Sequence, residues 1–258
     1  MARMLGETVI PRLVEQSTER RVILTRVFKV FGPSEAEVDA LLTGVAEPGS
    51  AVTLAFRVVF PEILVKLRAE GGDKRQVAAA LDNACRKARE KLNGHIFAED
   101  GETIDSMVAD LLRAKGVTLS LAESCTGGLV AKRITDISGS SAYFLEGAVT
   151  YADAAKTRVL GIPSELLEEK GAVSAEVARA MAEGMRRRSG SDLALAVTGI
   201  AGPGGGSEEK PVGTVFIALA DRAGCQAERY RFFGNSEEIR TITAFTALDR
   251  LRRHLLSQ

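Results

Sequence analysis

The sequence predicts an α/β chain in which a three-layer α/β/α domain over residues 101–258 is preceded by a small α+β domain over residues 21–100. Three observations predict it. From Ile104 onward, segments with helical periodicity alternate with strand-like apolar runs, the pattern of a sheet covered by helices on both faces. Within that stretch Leu193–Thr198 is almost wholly apolar, as expected of a strand buried on both faces. Upstream, residues 22–98 read in the order β-α-β-β-α-β, a split-βαβ pattern that two helices on one face of a small antiparallel sheet satisfy.

The elements follow from local signals. Residues 1–16 carry a helix-like scatter of apolar side chains (Met4, Leu5, Val9, Leu13) but include Pro11 and start without a cap, so residues 1–20 are expected to be the residual helix of an upstream domain. Val22–Phe31 is β-branched and aromatic and is stopped by Gly32-Pro33. Ser34 with Glu37 three residues on is a capping box for a short helix ending near Thr43. Val52–Phe60 and Ile63–Ala69 are strands joined at Pro61-Glu62. Asp73, with Gln76 at the third helical position, opens a longer helix whose Val77, Leu81, Cys85, Ala88 and Leu92 share a face. His95–Ala98 is the last short strand, and the acidic turn Glu99-Asp100-Gly101-Glu102 marks the boundary.

In the second domain, Ile104, Met107, Val108, Leu111 and Leu112 form the stripe of an amphipathic helix closed by Lys115-Gly116. Val117–Gly128 reads as strand, tight loop and the start of a helix that continues over Leu129–Ile137. A strand at Gly147–Tyr151, a helix at Ala152–Leu160 and a helix capped by Ser174 and running to Arg188 come next, followed by the Leu193–Thr198 strand. Thr214–Ala220 and Gln226–Phe233 are further strands, and Ser236-Glu237-Glu238 opens a final helix with acids in its first turn.

Composition narrows the function classes. Acidic and basic residues balance at 34 each, so no global charge advertises nucleic acid or an anionic membrane. Three cysteines without Cys-x-x-Cys spacing argue against a disulfide framework or a structural zinc site and fit a reducing, cytoplasmic setting. No signal segment and no apolar run of about 18 residues is present, so export and membrane spanning are not expected. RNA binding by the small domain is disfavoured. No glycine loop clamped by basic residues opens a helix, no aromatic pair lines the strands, and Lys74-Arg75 and Arg86-Lys87 read as solvated helix faces.

The chemistry concentrates in two glycine-rich loops after buried strands, Glu123–Gly128 and Thr198–Gly206. Neither is a Walker A loop or a dinucleotide Gly-x-Gly-x-x-Gly, so a nucleotide triphosphatase and a Rossmann dehydrogenase are disfavoured. In the first loop Gly127 and Gly128 allow close approach to the backbone, the helix that follows points N–H groups toward an anion, and Ser124, Cys125 and Thr126 offer nucleophiles or hydroxyl donors. Cys125 is the rival nucleophile, but after a serine it is expected to pack as a small hydrophobe. With only His95 and His254 present, the base for a serine is best sought in a lysine partly withdrawn from water, and Lys156, a helical turn beyond Thr150-Tyr151, is the choice. Thr198, or the N–H groups after it, is expected to stabilise an oxyanion. Lys210 and Arg240 are candidate phosphate ligands.

Ala122-Glu-Ser-Cys-Thr-Gly-Gly128, Thr150-Tyr151 with Lys156, Gly171-Ala-Val-Ser174, Thr198-Gly-Ile-Ala-Gly-Pro203 and Gly206-Ser-Glu-Glu-Lys-Pro-Val-Gly-Thr214 together resemble the C-terminal domain of the CinA family, the competence/damage-inducible proteins. The resemblance runs continuously over about residues 101–258. It implies a nicotinamide-nucleotide amidase that converts nicotinamide mononucleotide to nicotinate mononucleotide and ammonia, without a cofactor or metal. It also implies that Ser124 is the nucleophile, Lys156 its base, and Tyr151 and Thr198 assisting groups. Glu123, Cys125, Thr126, Gly127, Gly128, Gly199, Ala201, Gly202, Gly205, Gly206, Lys210 and Arg240 would then hold the phosphate and ribose. The expected partners are this nucleotide and further copies of the chain, with neither membrane nor nucleic acid among them. Residues 1 to about 100 resemble the end of the family's molybdopterin-binding-like first domain and its small linking domain. Most of that first domain, associated with ADP-ribose pyrophosphatase activity, is absent from the sequence, and no such activity is assigned. A reading from another class is a non-catalytic nucleotide-binding or regulatory module.

Overall fold

The computed structural model describes residues 4–12, 21–47 and 49–257, arranged as two compact units, residues 1–101 and 102–258. Residues 4–12 are helical, with a π-helical turn at Leu5–Val9. Residues 1–3 and 13–20 of the expected N-terminal helix lie outside the described residues.

In the first unit, β1 (Val22–Val30), α1 (Glu35–Leu42), β2 (Val52–Val59), β3 (Glu62–Gly71), α2 (Lys74–Lys91) and β4 (Ile96–Glu99) follow the expected order. The strands are ranked β2-β3-β1-β4 and every neighbouring pair is antiparallel. Both helix starts are set by side chains. Ser34 and Glu37 close a capping box, and the Asp73 carboxylate accepts the Gln76 N–H at 2.8 Å. Such caps contribute about 1 kcal/mol each. Alternate residues of β3 (Val65, Leu67, Ala69) point into the core, where α2 sets Val77, Leu81, Cys85 and Ala88 against them. Two periodicities, 2 in the strand and 3.6 in the helix, thus meet on one apolar layer.

The second unit is the α/β/α sandwich. Its elements are α3 (Ile104–Lys115), β5 (Leu119–Glu123), α4 (Leu129–Thr135), β6 (Phe144–Val149), α5 (Asp153–Leu160), α6 (Ser164–Lys170), α7 (Ala175–Ser189), β7 (Leu193–Gly199), β8 (Thr214–Ala220), β9 (Cys225–Arg231) and α8 (Ser236–Ser257). The sheet order is β6-β5-β7-β8-β9, parallel across the first three strands and antiparallel from β7 to β9. One face is made of alanines: Ala122, Ala194, Ala196, Ala218 and Ala220 share a cluster with Val177, Ala178, Met181, Ala182 and Met185 of α7. Small side chains let α7 lie close to the sheet, with α5 and α6 packed beside it. Larger residues of the alternate register, Leu195 and Val197 among them, point to the other face, where α8 packs on β7 and β8 and against α3 and α4.

Two differences from the sequence reading have plain causes. Strand β6 begins at Phe144 and ends at Val149, before Thr150-Tyr151, because Leu145, Gly147 and Val149 on this edge strand face outward and supply no buried apolar run. Helix α6 was not expected. Seven residues are too few for a periodic signal, although Pro163 before it and Gly171 after it punctuate both ends.

Candidate active site

The carboxyl ends of the parallel strands β5, β6 and β7 and the start of antiparallel β8 lie along one rim of the sheet, where open α/β sheets gather their ligands. The loop after β5 sits in the middle of it. Ser124, only 8% exposed, is tied to the neighbouring strand by its N–H, which donates to Val197 O at 3.0 Å. Gly127 and Gly128 take φ of +62° and +97°, backbone that a side chain would strain, and so turn the chain abruptly into α4. Nothing lies within 4 Å of the place a Cβ on Gly127 would take, so the loop is open on that side.

The start of α4 does not work as the sequence suggested. Its N–H groups are taken by Glu123, whose carboxylate is 2% exposed and accepts from Gly128 at 3.0 Å, Val130 at 3.1 Å and Ala131 at 2.7 Å. The helix terminus is already filled by an anion of the chain's own. Glu123 is therefore an internal cap, its carboxylate engaged by the chain's own N–H groups.

Cys125 is buried, and burial pushes its thiol up to about 12. It stays protonated near neutrality, where the thiolate is the reactive form, so Ser124 is the better placed nucleophile of the pair.

Lys156 lies in the first half of α5 with 1% of its side chain exposed. Its Nζ donates to Tyr151 O at 3.0 Å and to Asp153 Oδ1 at 3.2 Å. Because Thr150 N donates to Glu123 O at 2.8 Å, the turn that carries Tyr151 and Lys156 is fastened beside the Ser124 loop. Tyr151 contributes its carbonyl to this arrangement, while the residue itself is 65% exposed at the rim. Asp153 was missed in the sequence reading. An acid three residues ahead of a helical lysine is the signal that would have found it.

Thr198 also differs from expectation. Its hydroxyl donates to Ala172 O at 2.8 Å, and a carbonyl can only accept, so the single hydroxyl hydrogen is spent on holding the Gly171–Ser174 turn to β7. Of the N–H groups beyond Thr198, that of Ile200 is likewise taken, by Thr214 O at 2.9 Å.

In the second loop much of the glycine content serves the chain's own packing. A Cβ on Gly199 would meet Val215 Cγ2 at 2.7 Å, on Gly202 Val212 Cγ1 at 2.6 Å, and on Gly206 Val212 N at 2.7 Å. Gly204 and Gly205 face open space or ordinary contact only. Ala201 is buried, and Lys210 Nζ donates to Lys170 O at 3.0 Å, which closes the end of α6.

Several buried polar atoms have no intramolecular partner: at the rim the hydroxyls of Thr126, Thr150 and Thr214, and on α8 the hydroxyl of Thr243 and Nε of Arg240. An unpaired buried polar group costs about 1–3 kcal/mol, so a concentration of them marks a place built for something polar. The Arg240 guanidinium acts electrostatically on the Cys125 thiol, which puts its charge within reach of the first loop. Thr243 stands one helical turn beyond it on α8. Thr150 and Thr214 stand in the quoted motifs but were given no role of their own, and Thr243 was not singled out, since a lone threonine carries no signal. Among the described residues no group of three or more His, Cys, Asp or Glu side chains is gathered as a metal site, and no helix is long and apolar enough to cross a membrane.

Comparison with known proteins agrees across the whole length. Residues 101–255 match the CinA C-terminal domain model, and residues 25–98 match the model of the damage-inducible protein CinA KH domain. A CinA-like protein of Geotalea uraniireducens is 66% identical over all of this chain and 61% of its own length, and one of Geobacter metallireducens is 58% identical over 62% of its length. The chain thus spans about three fifths of these curated relatives. Among solved structures, competence/damage inducible protein CihA from Agrobacterium tumefaciens is 44% identical with a TM-score of 0.57, covering 59% of this chain and 95% of that one. A CinA superfamily protein from Klebsiella pneumoniae is 35% identical with a TM-score of 0.58, covering 60% of this chain and 97% of that one. The chain belongs to the CinA family.

Proposed function

We propose that the second unit is a nicotinamide-nucleotide amidase, hydrolysing nicotinamide mononucleotide to nicotinate mononucleotide and ammonia. One observation carries this reading: Lys156 is buried on the turn fastened beside the Ser124 loop, with two of its nitrogen's positions committed to Tyr151 O and Asp153. With two positions so committed, the nitrogen keeps one for exchanging a proton with a serine hydroxyl.

In the proposed reaction Ser124 Oγ attacks the carboxamide carbon and its proton passes to Lys156 Nζ. The carbonyl π pair moves onto oxygen, where N–H donors of the loop hold it. Collapse breaks the C–N bond, and the proton on Lys156 goes to the departing nitrogen, which leaves as ammonia. A water then gives a proton to Lys156 and attacks the ester carbon, and Ser124 departs with that proton to release the acid. The phosphate supplies remote binding energy for orienting the ring, and Arg240, whose Nε has no intramolecular partner, is its proposed ligand.

No nucleic-acid role is proposed for the first unit, despite the KH name of the model it matches. A helix, a Gly-x-x-Gly loop and a second helix grip RNA in that module; here α1 leads into β2 and no pair of glycines has that spacing between residues 25 and 98.

The test is ammonia release from nicotinamide mononucleotide by the full chain beside Ser124→Ala and Lys156→Ala, with nicotinamide and the dinucleotide as control substrates. Turnover by wild type alone, confined to the mononucleotide, is expected. Folded wild-type protein that binds the mononucleotide without releasing ammonia would replace the amidase by a nucleotide-sensing module.

A further inference from the structure

The Ser124 loop has an internal anion where its fold would otherwise invite a ligand, and the hydrogen bonds around it account for its N–H groups one by one. Ser124 N–H goes to Val197 O, Gly127 N–H to Ser124 O and Leu129 N–H to Thr126 O. Gly128, Val130 and Ala131 N–H go to the Glu123 carboxylate at 2.7–3.1 Å. Cys125 and Thr126 are left, and the acceptor beside their N–H groups is the Cys125 sulfur, a weak one in its protonated form. These two follow the nucleophile directly and lie on its turn, where donors for a developing oxyanion are needed.

We propose that Glu123 is a positioning residue. By taking three N–H groups it locks the turn so that the Cys125 and Thr126 N–H groups form the donor pair for the oxyanion on the Ser124 adduct, and its charge keeps the substrate's phosphate away from α4. Glu123 is suited to this because it is the last residue of β5: its backbone is fixed by the pairing with β6 and β7, while its side chain reaches over the turn to the helix that begins six residues later. A rigid strand thereby sets the height of the loop. The neutral isostere glutamine would turn an amide N–H₂ toward at least one of those N–H groups, and the turn would have to shift to avoid it.

This inference rests on the amidase reading for its substrate but has a second readout that does not. In the full chain, Glu123→Gln is expected to lower kcat for nicotinamide mononucleotide by about 10²-fold, the effect of a misplacement near 1 Å, with KM within about threefold of wild type. Glu123→Asp keeps the charge on a shorter arm and is expected to fall between the two; it serves alone if the glutamine variant does not fold. Labelling of Ser124 by a fluorophosphonate, whose phosphoryl oxygen occupies the oxyanion position, is expected to slow by at least 10-fold in both variants. A KM that rises 10-fold with kcat unchanged would make Glu123 a substrate ligand and overturn the inference, as would wild-type rates of turnover and labelling in the variants. If wild type labels but never turns over the mononucleotide, the amidase reading fails alone and the labelling rates decide. A wild type in which Ser124 does not label overturns the donor pair outright.

Discussion

Helix α7 touches the end of α5 through Gly184, and alanine there sets two effects of opposite sign against each other. By intrinsic propensity the change stabilises, since glycine inside a helix costs about 1 kcal/mol relative to alanine. Against it stands the contact: a Cβ on Gly184 would fall on the Leu160 carbonyl oxygen, inside van der Waals distance, and at 3.2 Å from both Leu160 C and Leu160 Cβ. The obstacle is main chain, so no rotamer change removes it, and Leu160 is itself 3% exposed in the alanine-lined core. Overpacking of this kind costs about 1–3 kcal/mol, and a rigid backbone neighbour argues for the upper half of that range. The expected net destabilisation is about 1–2 kcal/mol, which lowers Tm by roughly 2–8 °C for a domain of this size. Because α5 carries Lys156 four residues before the contact, pushing α5 away also moves the proposed base. A fall in kcat of about tenfold with little change in KM is expected from a sub-ångström displacement. Calorimetry of the full chain and ammonia release measure the two effects. An unchanged or raised Tm would refute the close contact, because propensity alone would then have decided the sign.

Three further substitutions separate the roles assigned along the rim. Thr198→Val keeps the volume and removes the donor to Ala172 O, so about 1–3 kcal/mol of stability is expected to go by urea unfolding, with turnover reduced less than tenfold; a loss of 10²–10³-fold would restore the hydroxyl as an oxyanion donor. Arg240→Gln removes the charge near the first loop and is expected to raise KM for the mononucleotide by about 10–100-fold, the value of a charge-assisted hydrogen bond, with kcat little changed; steady-state kinetics would show an unaltered KM if the phosphate sits elsewhere. Cys125 is expected to resist iodoacetamide in native protein at pH 8. Burial holds its thiol near 12 when folded against an ordinary value of 9.0, so between those values the folded chain keeps a proton the unfolded chain loses, and stability falls as pH rises through that window. Cys225, raised to about 11, adds to the same alkaline arm, so Cys125→Ala flattens it only in part when urea midpoints are followed from pH 8 to pH 11.

What was legible in the sequence was what neighbouring residues decide. Ser34 with Glu37 and Asp73 with Gln76 cap their helices within one turn, and the expected capping bonds form. The β7 run is buried on both faces because all its neighbours are apolar along the chain as well as in space. An edge strand such as β6 and a seven-residue helix such as α6 bury too little in a periodic way to be placed by pattern. The site was harder for a related reason. A carboxylate or a hydroxyl beside a glycine-rich loop looks like a ligand until its partner is known, and the partners of Glu123 and Thr198 turned out to be the chain's own N–H and C=O groups.

Glycines carry the same ambiguity. Absence of a side chain permits close approach, but the sequence does not say whether a ligand or the backbone itself makes it. At Gly199, Gly202 and Gly206 the approaching groups are Val215 and Val212, so a loop that reads as a cradle is in part a packing joint. Openness remains at Gly127 and at Gly204-Gly205. Five of the buried polar atoms without partners stand on separate elements: Thr126 after β5, Thr150 after β6, Thr214 opening β8, and Arg240 and Thr243 on α8. Each is unremarkable in its own segment. Only the sheet order, which sets the ends of β5, β6 and β7 beside the start of β8, brings Thr126, Thr150 and Thr214 to one rim, and that order is a tertiary fact no local pattern contains.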